Sequence, residues 1–167
     1  MKNKNNRGML LESIINNTNE YYFKNGIALI HKKNLDIKFK NVKLEKNKLL
    51  LNDASIYSKS TVDYYGVWKG RFLAFEVKST EQKNFEKKNI KKHQIEYLNK
   101  VLLHQGIAFW IIYFKFQNEF LLIEHANFKK CLFEEKKSYI CFETIKPLGK
   151  EIKLIFPGIL DFLNILK

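Results

Sequence analysis

The chain has 167 residues, of which 46% are hydrophobic and 14% aromatic, and 30 Lys and Arg against 17 Asp and Glu leave a net charge of +13. That length and apolar content describe a single domain spanning 1–167 with a sizeable core, and exclude a disordered basic tail. The excess of positive charge favours a polyanionic partner, of which nucleic acid is the commonest.

Only Arg7 and Arg71 are arginines. Lysine acts as a flexible point charge on phosphates, whereas arginine reads guanine edges bidentately, so the balance favours backbone and shape recognition over sequence readout. Cys131 and Cys141 lack metal-ligand spacing and read as reduced thiols of a cytoplasmic protein. The Lys/Asn-rich start has no apolar run of a secretory signal, and the longest apolar runs are strand-length, so no membrane partner is expected.

In chain order, Leu10, Leu11, Ile14, Ile15 and Tyr22 recur at near-helical spacing over residues 9–23, and Asn25-Gly26 supplies a stop. A short strand follows at 27–31. Residues 32–52 spread lysines through weak period-two alternation (Ile37, Phe39, Val42, Leu44), which predicts a projecting pair of strands. Lys32, Lys33, Lys38, Lys40 and Lys43 are the candidate DNA contacts there. Strands are expected at 63–69 and 71–78, a helix at 89–104, and a strand pair at 107–116 and 119–123. A short helix near 126–135, a strand near 151–155 and a terminal helix near 159–166 complete an α/β layer around a mixed sheet.

The chemistry concentrates between Thr61 and Lys78. Strand alternation puts Glu76 and Lys78 on one face, and the hairpin brings Asp63 near them. Phosphodiester hydrolysis needs a metal to polarise phosphoryl oxygens, an activated water, and positive charge for the transition state. Mg²⁺ takes hard oxygen ligands and keeps several waters, so Asp63 and Glu76, with the Val77 carbonyl as a third donor, suffice. Lys78 would activate the water or stabilise the transition state. Phe72, Leu73, Ala74 and Phe75 make the strand apolar, and charges ending such a strand need a reason.

The runs Asn6-Arg7-Gly8-Met9, Glu12, Thr61-Val62-Asp63-Tyr64-Tyr65-Gly66-Val67, Phe75-Glu76-Val77-Lys78 and His93-Gln94-Ile95 together resemble the RecU Holliday junction resolvases along essentially the whole chain. The resemblance implies a PD-(D/E)xK fold, restriction-endonuclease-like, working as a homodimer with Mg²⁺, for which Mn²⁺ can substitute. It implies a metal-binding set of Thr61, Asp63, Glu76 and Gln94, with Lys78 stabilising the transition state. Glu12 either completes the acidic cluster or orients a Lys or Arg. Residues 32–52 align with a stalk inserted at the junction centre, and Arg7 with a basic N-terminal region implicated in DNA contact. The family's Pro-Arg near the C-terminus is replaced by Pro157-Gly158.

The resulting expectation is a structure-selective endonuclease that resolves four-way junctions by paired symmetric nicks in recombination and repair, with a recombinase as a further candidate partner. A restriction-type endonuclease and a non-catalytic DNA-binding recombination accessory are the alternatives.

Overall fold

The computed structural model describes residues 9–45, 48–58, 61–134 and 136–166. Arg7 lies outside the described residues. Helix α1 (Met9–Lys24) buries Leu11, Ile14, Ile15, Thr18, Asn19 and Tyr22, one stripe at helical period, and gives way at Asn25 and at Gly26, whose φ is 65°. Strand β1 (Leu29–Lys32) follows, shifted slightly from the expected span.

The basic segment forms two stacked antiparallel ladders. Strands β2 (Asp36–Lys38) and β3 (Asn41–Glu45) run out, and β4 (Lys48–Asn52) and β5 (Ser55–Ser58) run back, with β3 on β4 and β2 on β5. The returning arm reaches Ser58, past the end at 52 expected from lysine spacing. Lys38, Lys40 and Lys43 are exposed, and so are Ile37, Phe39, Val42, Leu44 and Leu49. At its base the Lys33 N–H donates to the Asp63 carbonyl at 2.8 Å.

Strands β6 (Tyr64–Trp68) and β7 (Arg71–Thr80) make the expected hairpin across Lys69-Gly70, both in left-handed conformation with φ of 49° and 73°. A two-residue strand β8 (Phe85–Glu86) and a 3₁₀ turn (Lys87–Asn89) precede helix α2 (Lys92–Leu103). Strand β9 (Ile107–Phe114) then pairs parallel with β7, so α2 is the crossover of a βαβ unit. Strand β10 (Glu119–Glu124), helix α3 (His125–Glu134), β11 (Tyr139–Ile140), the short α4 (Phe142–Ile145) and β12 (Lys150–Ile152) follow. The main sheet is mixed and six-stranded, in the order β1-β6-β7-β9-β10-β12.

The chain end differs from expectation. In place of one strand at 151–155, β12 joins the main sheet while β13 (Leu154–Ile155) pairs with β14 (Ile159–Leu160). The terminal helix is absent from the described residues; a 3₁₀ turn (Leu163–Ile165) stands there. The cause is tertiary: Gly158, at φ 101°, turns the chain back into the hairpin, and α1 side chains claim its N–H groups. Leu160 N–H donates to Thr18 Oγ1 at 2.9 Å and Leu163 N–H to Tyr22 Oη at 3.1 Å.

Alternation divides the core between the two faces of the sheet. On one face α1 covers Ile30, Tyr64, Phe75, Phe109 and Leu122. Tyr64, Phe75 and Phe109 stack across three neighbouring strands at 5.0 and 4.6 Å. On the other face α2 and α3 pack over Ala74, Ala108, Trp110 and Leu121. Gly66 explains itself here: a Cβ would lie 2.1 Å from the Leu29 carbonyl oxygen, so only glycine lets β6 pair with β1. Among the described residues no helix is long and apolar enough to cross a membrane.

Candidate active site

The β6–β7 register pairs Tyr64 with Phe75. One step further out, Asp63 stands opposite Glu76, and there the ladder is continued by a side chain: Asp63 Oδ2 accepts the Val77 backbone N–H at 3.0 Å. With its carbonyl held by Lys33, Asp63 is fixed at both ends. Lys78 Nζ lies 2.7 Å from Glu76 Oε2 and 3.3 Å from Asp63 Oδ2, and so bridges the two carboxylates. The structure thus brings Asp63, Glu76 and Lys78 together on one face at the end of a central strand.

Gln94 joins them from α2. Its side-chain nitrogen donates to Glu76 Oε2, and its amide oxygen accepts the Lys91 backbone N–H at 3.0 Å, a helix-capping contact. The sequence reading pointed that oxygen at a metal; in the structure it serves the helix terminus, and the nitrogen faces the carboxylate. Thr61 is exposed on the bend leading into Asp63. Glu12 does not meet the other carboxylates: its Oε2 pairs with Lys32 Nζ at 2.7 Å, with both side chains near half exposure. Its charge still reaches the core, where Glu12 and Asp63 add to the effect of burial in pushing the Tyr64 hydroxyl pKa upward. Lys33 pairs with Asp36 at 2.6 Å, and the candidate DNA contacts Lys38, Lys40 and Lys43 are exposed on the hairpin.

Electrostatically the site is strained. Glu76 is fully buried, and burial, reinforced by the nearby Asp63 charge, pushes its pKa up to about 8 despite the opposing pull of Lys78. Burial pulls the Lys78 pKa down, but Glu76 and Asp63 outweigh it and the net shift is upward, keeping the ammonium charged. Glu76 Oε1 is buried without a hydrogen-bond partner. An orphaned carboxylate oxygen beside a second carboxylate is costly in an apolar setting and is the donor that a hard divalent cation takes. Among the described residues no group of three or more His, Cys, Asp and Glu side chains could hold a metal. The oxygen-only pair suits an ion that retains water, such as Mg²⁺.

The recombination protein U (RecU) family model matches residues 6–167. The chain belongs to this family. It is 41% identical over 160 residues to the Holliday junction resolvase RecU of Mycoplasmopsis pulmonis, covering 96% of this chain and 93% of that relative. It is 38% identical over 170 residues to the Streptococcus pneumoniae protein of the same name, covering 99% and 85%. Among solved structures it is similar to Archaeoglobus fulgidus Hjc, a Holliday junction resolvase, with a TM-score of 0.50 at 13% identity over 84% of this chain and 94% of that one. At that identity the likeness concerns the fold, which is restriction-endonuclease-like, as the sequence reading expected. For a RecU chain the Asp63–Glu76–Lys78 arrangement falls in the stretch that carried the resemblance. The sequence reading used the Val77 carbonyl, as a metal donor; the contact of its N–H with Asp63 went unread, although the strand register that produces it follows from the same alternation that paired Glu76 with Lys78.

Proposed function

We propose that this protein is a Mg²⁺-dependent endonuclease that resolves four-way DNA junctions, acting as a homodimer that nicks opposing strands symmetrically. The observation that carries the reading is the buried Glu76 carboxylate, with Oε1 unpartnered and Oε2 bridged by Lys78 to Asp63. The names of its relatives agree with it. When bound by Asp63 and Glu76, Mg²⁺ would polarise the scissile phosphate and lower the pKa of a water. Lys78 would set its charge against the developing phosphorane, and the Val77 N–H would hold Asp63 in place through the reaction. Gln94 would orient Glu76 from the first turn of α2, and Thr61, on the bend before Asp63, would add a hydroxyl to the metal's donors. A symmetric dimer suits a nearly two-fold junction because each active site then meets an equivalent strand. Lys38, Lys40 and Lys43 would engage phosphates near the crossover.

The test is cleavage of a mobile junction, a static junction and linear duplex, each with Mg²⁺ and with EDTA. Junction-selective, EDTA-sensitive cutting is expected. Duplex cutting at one sequence would favour a restriction-type enzyme, and junction binding without cutting would favour an accessory protein.

A further inference from the structure

Beneath α2 and α3 lies a polar network that the proposed chemistry does not use. Trp110 of β9 is the register partner of Glu76 and, by alternation, rises on the same side of the sheet. Its indole N–H donates at 2.9 Å to Nδ1 of His125, the first residue of α3, and the two rings stand 6.1 Å apart at 26°. An indole can only donate, so Nδ1 is the acceptor and the ring proton belongs on Nε2. That nitrogen faces α2: it lies 3.2 Å from Asn99 Oδ1 and also meets the Ile95 carbonyl. Lys129 of α3 donates to the same Asn99 oxygen at 3.0 Å. Burial, aided by the Lys129 charge, holds the imidazole pKa down at about 4, so the ring is neutral near pH 7.

These contacts close a circuit on the active site. Glu76 leads across the β7–β9 register to Trp110, and Trp110 through His125 to Asn99 and Ile95 of α2. Along α2 the circuit returns to Gln94, whose amide nitrogen meets Glu76 Oε2. The buried Leu98 and Val101 also seat α2 on the sheet, but apolar contact is non-directional, whereas hydrogen bonds weaken steeply when misaligned. Turning α2 by about 20° would carry a side-chain tip, about 5–6 Å from the axis, through about 2 Å, enough to part Gln94 from Glu76. A buried imidazole also costs desolvation that an apolar side chain there would not, so its retention needs a reason beyond filling space.

We propose that His125 is a positioning residue for cleavage: through Asn99 and Ile95 it fixes the rotation of α2 on the sheet and so keeps the Gln94 amide on the Glu76 carboxylate. The contact of Nε2 with α2 does the positioning, and the contact of Nδ1 with Trp110 aims the ring. Lys129 holds the Asn99 side chain in the orientation that receives it. The proposal rests on the reading of Asp63, Glu76 and Lys78 as the cleavage site.

Two substitutions divide the ring. Glutamine can place an N–H where Nε2 stands and asparagine an acceptor where Nδ1 stands, so His125→Gln keeps the contact with α2 and His125→Asn the contact with Trp110. Each leaves one buried partner unpaired, so the two melting temperatures should fall alike. Asn99→Leu cuts the link from the half-buried helix side and replaces any variant at 125 that does not fold. The first readout is metal-free: the side-chain amide signals of Gln94 in proton–nitrogen correlation spectra in EDTA, assigned by their loss in Gln94→Ala. They should move toward those of exposed glutamines in His125→Asn and Asn99→Leu, and hold in His125→Gln. The second readout is junction cleavage with Mg²⁺, well below every melting temperature. In His125→Asn and Asn99→Leu kcat should fall about a hundredfold with KM unchanged, the scale of a displacement of about 1 Å at a catalytic group. His125→Gln should stay within a few-fold of wild type. Equal losses in the two variants at 125, losses that follow melting temperature, or an unmoved Gln94 signal in both His125→Asn and Asn99→Leu each overturns the positioning role. Cleavage by wild type with those signals unmoved sinks the positioning role alone. Moved signals in a wild-type background that does not cleave sink the nuclease reading and leave the link between His125 and Gln94 standing.

Discussion

Gln94 and Glu76 are coupled through a single side chain's two ends: the amide nitrogen donates to the buried carboxylate while the amide oxygen closes the first turn of α2. Gln94→Ala should therefore act twice. Losing the cap costs about 1 kcal/mol of stability, and losing the donor raises the Glu76 pKa further, so cleavage should need a higher pH. A pH–rate profile reads this directly. An acid limb identical to wild type would show that Gln94 serves the helix only.

Glu76 makes metal-free stability depend on pH. Its folded pKa, about 8, stands above the ordinary value of 4.5, so the folded state binds the extra proton between those values. The contribution of Glu76 to stability is then full below about pH 4.5 and is lost as pH rises toward 8. Melting curves in EDTA should show that decline, and Glu76→Gln should flatten it. Mg²⁺ competes with the same proton, so it should raise the wild-type melting temperature more at pH 8 than at pH 6 and leave Glu76→Gln unmoved.

Lys78 should separate binding from turnover. Lys78→Ala removes the only side-chain cation bonded to both Asp63 and Glu76 among the described residues, so Mg²⁺ binding should persist. Turnover should fall by about two to three orders of magnitude, the usual effect of removing one group that stabilises the transition state. Calorimetry showing abolished Mg²⁺ binding with normal turnover would reverse the roles.

Neutralising Lys38, Lys40 and Lys43 together should weaken junction binding more than duplex binding. The slope of log affinity against log salt should fall by roughly 0.9 for each phosphate that is no longer neutralised. Equal weakening on both substrates would reduce the hairpin to non-specific electrostatics.

His125 gives a second, opposite pH signature. It is buried, its Nδ1 accepts the Trp110 indole N–H at 2.9 Å, and burial, aided by Lys129, holds its pKa down at about 4. Stability should fall as pH drops from about 6.5 to about 4, because only the unfolded chain takes the proton there. A His125→Phe protein that keeps the same acid limb would exclude this histidine as the cause.

Much of this was legible in the residues because alternation is a strong signal. Glu76 beside Lys78, the Lys69-Gly70 hairpin and the apolar strand at 107 all follow from local pattern, and the structure has them. The chain end was not legible, since Thr18 and Tyr22 of α1 decide it from far away in sequence. The same holds for Glu12, whose partner depends on where β1 docks. The second job of Gln94 was hidden because α2 begins at Lys92 rather than Asn89, which makes Gln94 a first-turn residue.

The Lys33–Asp63 backbone bond closes the base of the basic hairpin onto the two strands it interrupts. Everything between those residues is an excursion between neighbours that already pair through Leu29–Lys32 and Tyr64–Val67. The arm can therefore lengthen, shorten or change its charges over evolutionary time without moving the carboxylates, so that under the proposed function the shape of DNA engaged and the bond cut would be free to be selected separately.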